Sequence, residues 1–243
     1  MTNVTMESAR LPMHPASSDV PSVVPTIEAT VVSWRPVGAS ASELVVRPVA
    51  PLDLRPGQRV GLFVDGAPLG EHGWTSPSWN DHPRGACPGG SFAVHVPTTR
   101  TSVLRGPDPK KCVVSGPFGG GLADGDGPVA VVGVGYGFAQ ASVVAAASAA
   151  AGRRTVLVQD GPILDPDELG RTLSRLADLG VVVRRASERP GPIRYACLME
   201  ACWRTDVYAF APPDILADVE DAVGRTHAML FPDACDGGTG AVH

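Results

Sequence analysis

Charged and aromatic side chains are both in short supply in this sequence of 243 residues. Only 19% of residues are charged and 5% aromatic, so the interior has to be built from Val, Ala and Leu, which suits close-packed strands and small-residue helix faces. No block of basic residues occurs, and 20 basic against 25 acidic side chains leave a formal charge of −5. The absence of a concentrated positive patch excludes nucleic acid as an expected partner. The five cysteines, Cys87, Cys112, Cys197, Cys202 and Cys235, are odd in number and widely spread. With no basic segment followed by an apolar run at the start, that pattern predicts a reduced, cytoplasmic protein. Residues 128–152 carry no charge at all, yet they hold four glycines, a glutamine and serines. The stretch therefore reads as a Val-rich strand, a Gly turn and an Ala-rich helix, and no membrane segment is expected.

Against these shortages stand 44% hydrophobic residues, 24 prolines and 28 glycines, enough for one large domain or two small ones with a real core. Residues 1–26 hold Pro, Ser, Met and Thr without a hydrophobic period, and a flexible arm is expected there. From Ile27 the runs IEATVVSW, SELVVRPV, QRVGLFV and GSFAVHV are β-branched and separated by Pro and Gly clusters. They predict an antiparallel β-barrel or small sheet over residues 27–122. Residues 65–90, between the third and fourth runs, read as a long Gly/Pro-rich loop containing Trp74 and Trp79, a candidate ligand loop.

After Asp126 the rhythm changes. VAVVGV, TVLVQD, GVVVRRA and DVYAF alternate with helix-like segments, which predicts a Rossmann-like α/β domain with a parallel sheet over residues 127–243. The helix over residues 166–179 is well marked: Asp165 is placed to cap it, Pro166 takes the first position, Asp167 and Glu168 sit in the positive first turn, and Gly180 ends it. Leu169, Leu173, Leu176 and Ala177 are expected on its inner face.

Chemistry has several candidate seats. VAVVGVGYGFAQA places Gly133, Gly135 and Gly137 between a strand and a helix, where backbone N–H groups can approach a phosphate, or where the turn is simply packed tightly. Asp160 in VLVQDG is a rough match for the acidic ribose ligand of a dinucleotide site. VVSGPFGGGL forms either a loop that lies flat on a planar ligand or an interdomain hinge. Trp74 and Trp79 suit stacking on a ring or filling between domains. Tyr136 projects from the Gly turn toward any cofactor cleft. His95 in FAVHV is a candidate general base. No Ser/His/Asp signature and no metal-ligand His pair is visible.

Taken in order, TVVSW, LRPGQRVGLFV, GWTSPSW, GSFAVHVPTTRTSVLRG, VVSGPFGGGL, VAVVGVGYGFAQA and DVYAFAPPDILADV resemble the ferredoxin reductase-like flavoproteins. The resemblance is closest to the electron-transfer subunit of dihydroorotate dehydrogenase. It implies an FAD-binding barrel followed by a nicotinamide-binding α/β domain, with a cysteine-rich loop for a 2Fe–2S cluster in the close relatives. The family's Arg-x-x-Ser element falls on GWTS, keeping Ser76 and placing Gly73 at the arginine position. A guanidinium's paired bonds are lost there, with His72, Arg84 or Arg100 as replacements. The second flavin element falls on PTTRTS, so the resemblance implies Gly73, Ser76, Thr99, Arg100, Thr101, Gly119 and Gly120 as flavin positions, with Gly133, Gly135 and Gly137 as the further cofactor candidates named above.

On the nicotinamide side the family's arginine-bearing turn is replaced by QDGPILD, and its Cys-Gly-Pro turn by Phe210-Ala211-Pro212. These departures put NAD(P)H binding in doubt and leave it open. A 2Fe–2S centre needs four thiolates; DACDGGTGAVH supplies only Cys235, and the pair Cys197 and Cys202 reads as packing rather than metal ligation. No metal is expected. Two functions follow from different classes. One is a flavoprotein oxidoreductase that holds FAD between its modules and serves a small molecule or a protein redox partner. The other is a repurposed non-redox scaffold, a cyclase or isomerase on an apolar small molecule, in which flavin is absent or structural. A non-catalytic interaction subunit is the remaining reading.

Overall fold

A computed structural model of the chain describes residues 25–75, 90–104, 110–161, 164–187, 195, 205–223 and 228–232. Alternating inward and outward side chains fold the first part into a barrel of six antiparallel strands. These are β1 (Thr26–Pro36), β2 (Ala41–Pro48), β3 (Arg59–Val64), β4 (Ala67–Thr75), β5 (Phe92–Pro97) and β6 (Lys110–Phe118). Their order is β1-β2-β5-β4-β3-β6, and β6 closes on β1, which removes the free edges. Leu44, Val46, Val60, Leu62, Phe92 and Val94 fill the interior. A 3-10 turn, Thr98–Leu104, follows β5 and sends Leu104 into the same core.

Two expectations about this half are corrected. Residues 65–90 do not form one loop, because β4 occupies the first part and pairs with β3. The two chain-reversing residues are Asp65 (φ 49°) and Gly66 (φ 81°), both in the left-handed region that the tight Asp-Gly hairpin demands. VVSGPF likewise is not loop but the second half of β6, paired with both β1 and β3.

The second part is a parallel sheet with helices: β7 (Val129–Val134), α1 (Gly137–Ala150), β8 (Thr155–Asp160), α2 (Pro166–Asp178), β9 (Val182–Arg185), β10 (Asp206–Ala211), α3 (Pro213–Val223) and β11 (Ala228–Pro232). The strand order is β11-β10-β7-β8-β9. β11, unforeseen in the sequence, extends the sheet beyond β10. Val129 to Val132 are all buried, as expected of a central strand covered on both faces.

Helix α1 accounts for the uncharged stretch. Phe138, Ala141, Val144 and Ala145 pack on the sheet, while Val143 belongs to the barrel core. A helix buried from two sides can carry no charge on either. Among the described residues, no helix is long and apolar enough to cross a membrane. In exchange, Val37 of the β1–β2 turn and Ala41 at the start of β2 enter the α/β core, and the Asp165 N–H donates to the Val37 carbonyl (2.8 Å). In α2, Leu176 is buried and Leu169 and Leu173 are half-buried, but Ala177 is exposed, contrary to expectation, because the inner face turns through Thr172 instead. Asp165 stands at the cap position with Pro166 after it, yet its side chain makes no capping bond.

Candidate functional site

In an open parallel sheet the natural ligand crevice lies outside the carboxyl ends of the strands, where the strand order reverses. Here that point lies between β7 and β10. The Gly turn leaves β7 at this place, with Gly135 at φ 59° and its N–H donating to the Asp160 carbonyl (3.3 Å). The neighbouring glycines are explained by packing. A Cβ on Gly133 would overlap Ala141 and Phe138, and one on Gly137 would overlap the Phe210 carbonyl. The spaces over Gly133 and Gly137 are therefore taken by the protein's own helix and strand. Tyr136 leaves the crevice and donates its hydroxyl to the Ser40 carbonyl in the β1–β2 turn (2.7 Å). The Thr98 N–H donates to the same carbonyl (2.7 Å). Tyr136 and the start of the Thr98–Leu104 turn are thus brought together at Ser40. Asp160, the rough match for a ribose ligand, accepts a bond from the buried Tyr195 hydroxyl (2.8 Å).

The positions carried over for flavin separate into three places. Gly73, at the arginine position, lies under Gln140 of α1, whose side chain a Cβ on Gly73 would overlap. The Gln140 amide donates to the carbonyls of Gly57 (2.7 Å) and Gln58 (3.2 Å). An arginine side chain has no room at Gly73. Thr98 and Thr99 are exposed on the turn after β5, and Arg100 is half-buried beside them. The Arg100 guanidinium donates to the Leu69 carbonyl (2.7 Å) and lies against Gly70 and His72. Thr101 is buried, with its hydroxyl donating to the Thr98 carbonyl (2.7 Å). Gly119 and Gly120 are exposed on the loop after β6, which is held to the RPGQ turn by the Leu122 N–H on the Pro56 carbonyl (2.6 Å) and by Gln58 on the Gly119 carbonyl (3.1 Å). Ser76, Trp79, Arg84 and the Trp74 side chain lie outside the described residues, as do Cys87, Cys197, Cys202 and Cys235.

His72 is buried, which pulls its imidazole down to about 4, helped by the positive charge of Arg100 although the Leu69 carbonyl opposes it. It is a neutral core histidine. Cys112, the one cysteine among the described residues, is buried in the barrel, and burial pushes its thiol up to about 11. His95 points outward from β5 with its Nε2 3.7 Å from Glu43, directly across the strand pair. Glu43 accepts from Arg35 (3.0 Å), and Arg35 also reaches Glu168 of α2 (3.1 Å), which Arg171 holds from the other side (2.7 Å). This chain of charges ties barrel to α/β domain. Burial pushes the Glu168 carboxyl up, but the bonds from Arg35 and Arg171 prevail and hold it at about 2. Glu43 is likewise lowered, its burial outweighed by His95 and Arg35. The cavity they enclose with Phe138 and Ser142 measures about 30 Å³, room for water and for no ring system.

Two residues at this contact were missed from sequence. Gln140 is the only side-chain amide in α1, and its place in an uncharged helix was the available signal. Arg59, the residue after RPGQ, stands directly beside Gly73 across the β3–β4 pair and lies 3.6 Å from Glu71. Only strand pairing reveals that the cation lost from β4 has a neighbour on β3. Among the described residues, no cluster of His, Cys, Asp or Glu could hold a metal ion.

No family model matches the sequence, and no curated protein matches it. Solved structures do. The Amycolatopsis cytochrome P450 reductase GcoB aligns with a TM-score of 0.65 at 17% identity, over 86% of this chain and 70% of that one. The FAD/NAD-binding domain of nitric oxide dioxygenase from Vibrio cholerae aligns with a TM-score of 0.66 at 15% identity, over 85% and 98%. Phthalate dioxygenase reductase, described as transferring electrons from pyridine nucleotides to an iron–sulfur centre, aligns with a TM-score of 0.62 at 15% identity, over 85% and 68%. Likeness at such identities is likeness of fold. The chain is thus built on the fold of the ferredoxin reductase-like flavoproteins, a barrel of the FAD-binding kind followed by an α/β domain of the NAD-binding kind.

Proposed function

We propose that this chain is an FAD-binding, oxidoreductase-like protein that grips the cofactor from the turn after β5. The observation that carries the reading is the donor set of that turn: two exposed threonines, Thr98 and Thr99, with Arg100 next in sequence and no acidic residue in the first turn. Hydroxyls and a guanidinium free of competing carboxylates suit a pyrophosphate. Thr99 and Arg100 would hold it, with Ser76, the next residue in sequence after β4, as the further contact that the resemblance implies. When bound, FAD supplies one- and two-electron transfer. The chain's own contribution is to position and to exclude water: Gln140, Tyr136 and the Arg35–Glu168 pair hold the two domains shut behind the turn. NAD(P)H is given no part in this reading, since Asp160, the ribose candidate, is engaged by the Tyr195 hydroxyl. The electron donor or acceptor is then a protein or small molecule, in line with the sequence resemblance to an electron-transfer subunit.

The second reading, a non-redox scaffold acting on an apolar small molecule, is favoured by Gln140 filling the place where the arginine side chain would lie. One measurement separates the two. The visible spectrum of the purified full chain should show flavin bands near stoichiometric amount that bleach with reductant, and Arg100→Ala should lower the retained flavin. A colourless protein that FAD does not reconstitute would reject the flavoprotein in favour of the second reading.

A further inference from the structure

The outer wall of the barrel carries a trough that runs across the strands and opens beside Thr26, at the start of β1. Its floor is a row with short side chains or none: Thr26 lies opposite Ser115 of β6, and Ser115 opposite Gly61 of β3. Gly61 in turn lies opposite Glu71 of β4. A Cβ on Gly61 would overlap the Ser115 hydroxyl, so glycine keeps this floor low. Two aromatic rings form the banks. Phe118 of β6 is opposite Arg59, two residues before Gly61, and Phe63 stands two residues after it, 41% exposed. Pro68 of β4 borders the far end, and the hollow measures about 370 Å³. Glu71, the charge on its rim, is met by Arg59 (3.6 Å), so the trough calls for an uncharged, apolar occupant.

Connectivity points to one such occupant. The sequence that leads into β1, VPSVVPTI over residues 20–27, holds no charge. The Gly116 N–H donates to the Pro25 carbonyl (3.1 Å), so the chain is already held against β6 one residue before Thr26. Val24 precedes Pro25, and a residue before proline is confined to extended backbone. Strand alternation then carries Val24 to the outer face that Thr26 occupies, at the mouth of the trough. From β6 the trough crosses two further strands, about 10 Å in all, which three or four extended residues span. A segment tethered at the mouth has an effective concentration there far above that of a second molecule in solution.

We propose that residues 20–24 lie along this trough as a strap over β6, β3 and β4. The strap does not rest on the flavin reading, and its test needs no cofactor. Elastase cuts after small aliphatic residues; Val20 and Val24 are each followed by proline, so its favoured bond within the strap is the one after Val23. The bond after Ala16, outside the strap, is the control in the same molecule. In the full chain, cutting after Val23 relative to Ala16 should be slower than in a free peptide of residues 10–27. Phe63→Glu should raise that ratio about tenfold, because cleavage tracks the population of the undocked segment. Pro68→Glu, at an exposed position outside the barrel core, should raise it as well and decides the matter should Phe63→Glu fail to fold. The bond between Pro25 and Gly116 is common to parent and variants, so it cannot produce the difference. A ratio equal in the parent and both wall variants would overturn the proposal. So would protection that appears only as the chain concentration rises, which would put a second copy in the trough instead.

Discussion

Gln140 shows how a single side chain decides what a neighbouring position can do. From helix α1 it reaches two barrel carbonyls and takes the volume above Gly73. Gly73 falls at the arginine position of a flavin element, and in the fold the glutamine that lies on it leaves no space for a Cβ there. Gln140→Ala should cost about 1–3 kcal/mol in chemical denaturation, because it strips buried carbonyls of their donor. It should also make Gly73→Arg tolerable, whereas Gly73→Arg alone should destabilise the protein. Equal effects of Gly73→Arg in both backgrounds would show that Gln140 does not fill the space. Arg35, by contrast, is half exposed although it bridges Glu43 and Glu168, and exposed ion pairs of this kind contribute little. Neither residue announced itself in the sequence, since polar partners separated by more than 80 positions in the chain meet only in the folded protein.

Among the elements, the strands with uninterrupted β-branched runs and the helices with clean ends were legible. β1, β2, β3, β5, β7, β8 and β10 lie where the runs predict them, and α2 begins at Pro166. β4 and β6 were hidden because each carries glycines and prolines that read as loop, yet pairing to two neighbours overrides those local preferences. The Asp65-Gly66 signal for β4 was present and is a strong one. Gly66→Ala meets no atom within 4 Å, so its cost comes only from holding a Cβ at φ 81°; a loss of about 1 kcal/mol is expected. Thermal unfolding indistinguishable from the parent would argue against the two-residue turn. Ala177 was misplaced for the opposite reason: it lies within the arc that helical period allows, and only the neighbouring sheet determines where the buried arc stops.

For the molecule as a whole, acidity should test the cohesion of core and domain contact. His72 is held below its ordinary value, at about 4, and Glu168 at about 2. In both cases the unfolded chain binds protons that the folded chain refuses, so stability is full above the unfolded values and falls as pH drops. Melting temperature should be level from about pH 7 until the Cys112 thiol ionises in the unfolded chain near 9, decline between 6.5 and 4 as unfolded His72 takes up a proton, and decline further from 4.5 toward 2 with Glu168. His72→Leu should remove the first decline and leave the second; a profile unchanged by that substitution would remove His72 from the account.

The sequence by itself determined the two modules, their order and most of the strands and helices, because hydrophobic period and turn chemistry act over a few residues at a time. It also shows that basic residues nowhere form a block along the chain. Only the tertiary structure decided which neighbours surround the glycines and threonines singled out for ligands. Whether a small residue makes room for a cofactor or for a neighbouring helix depends on which atoms arrive from elsewhere in the chain, as Gln140 and Phe210 do here, and no local pattern carries that information.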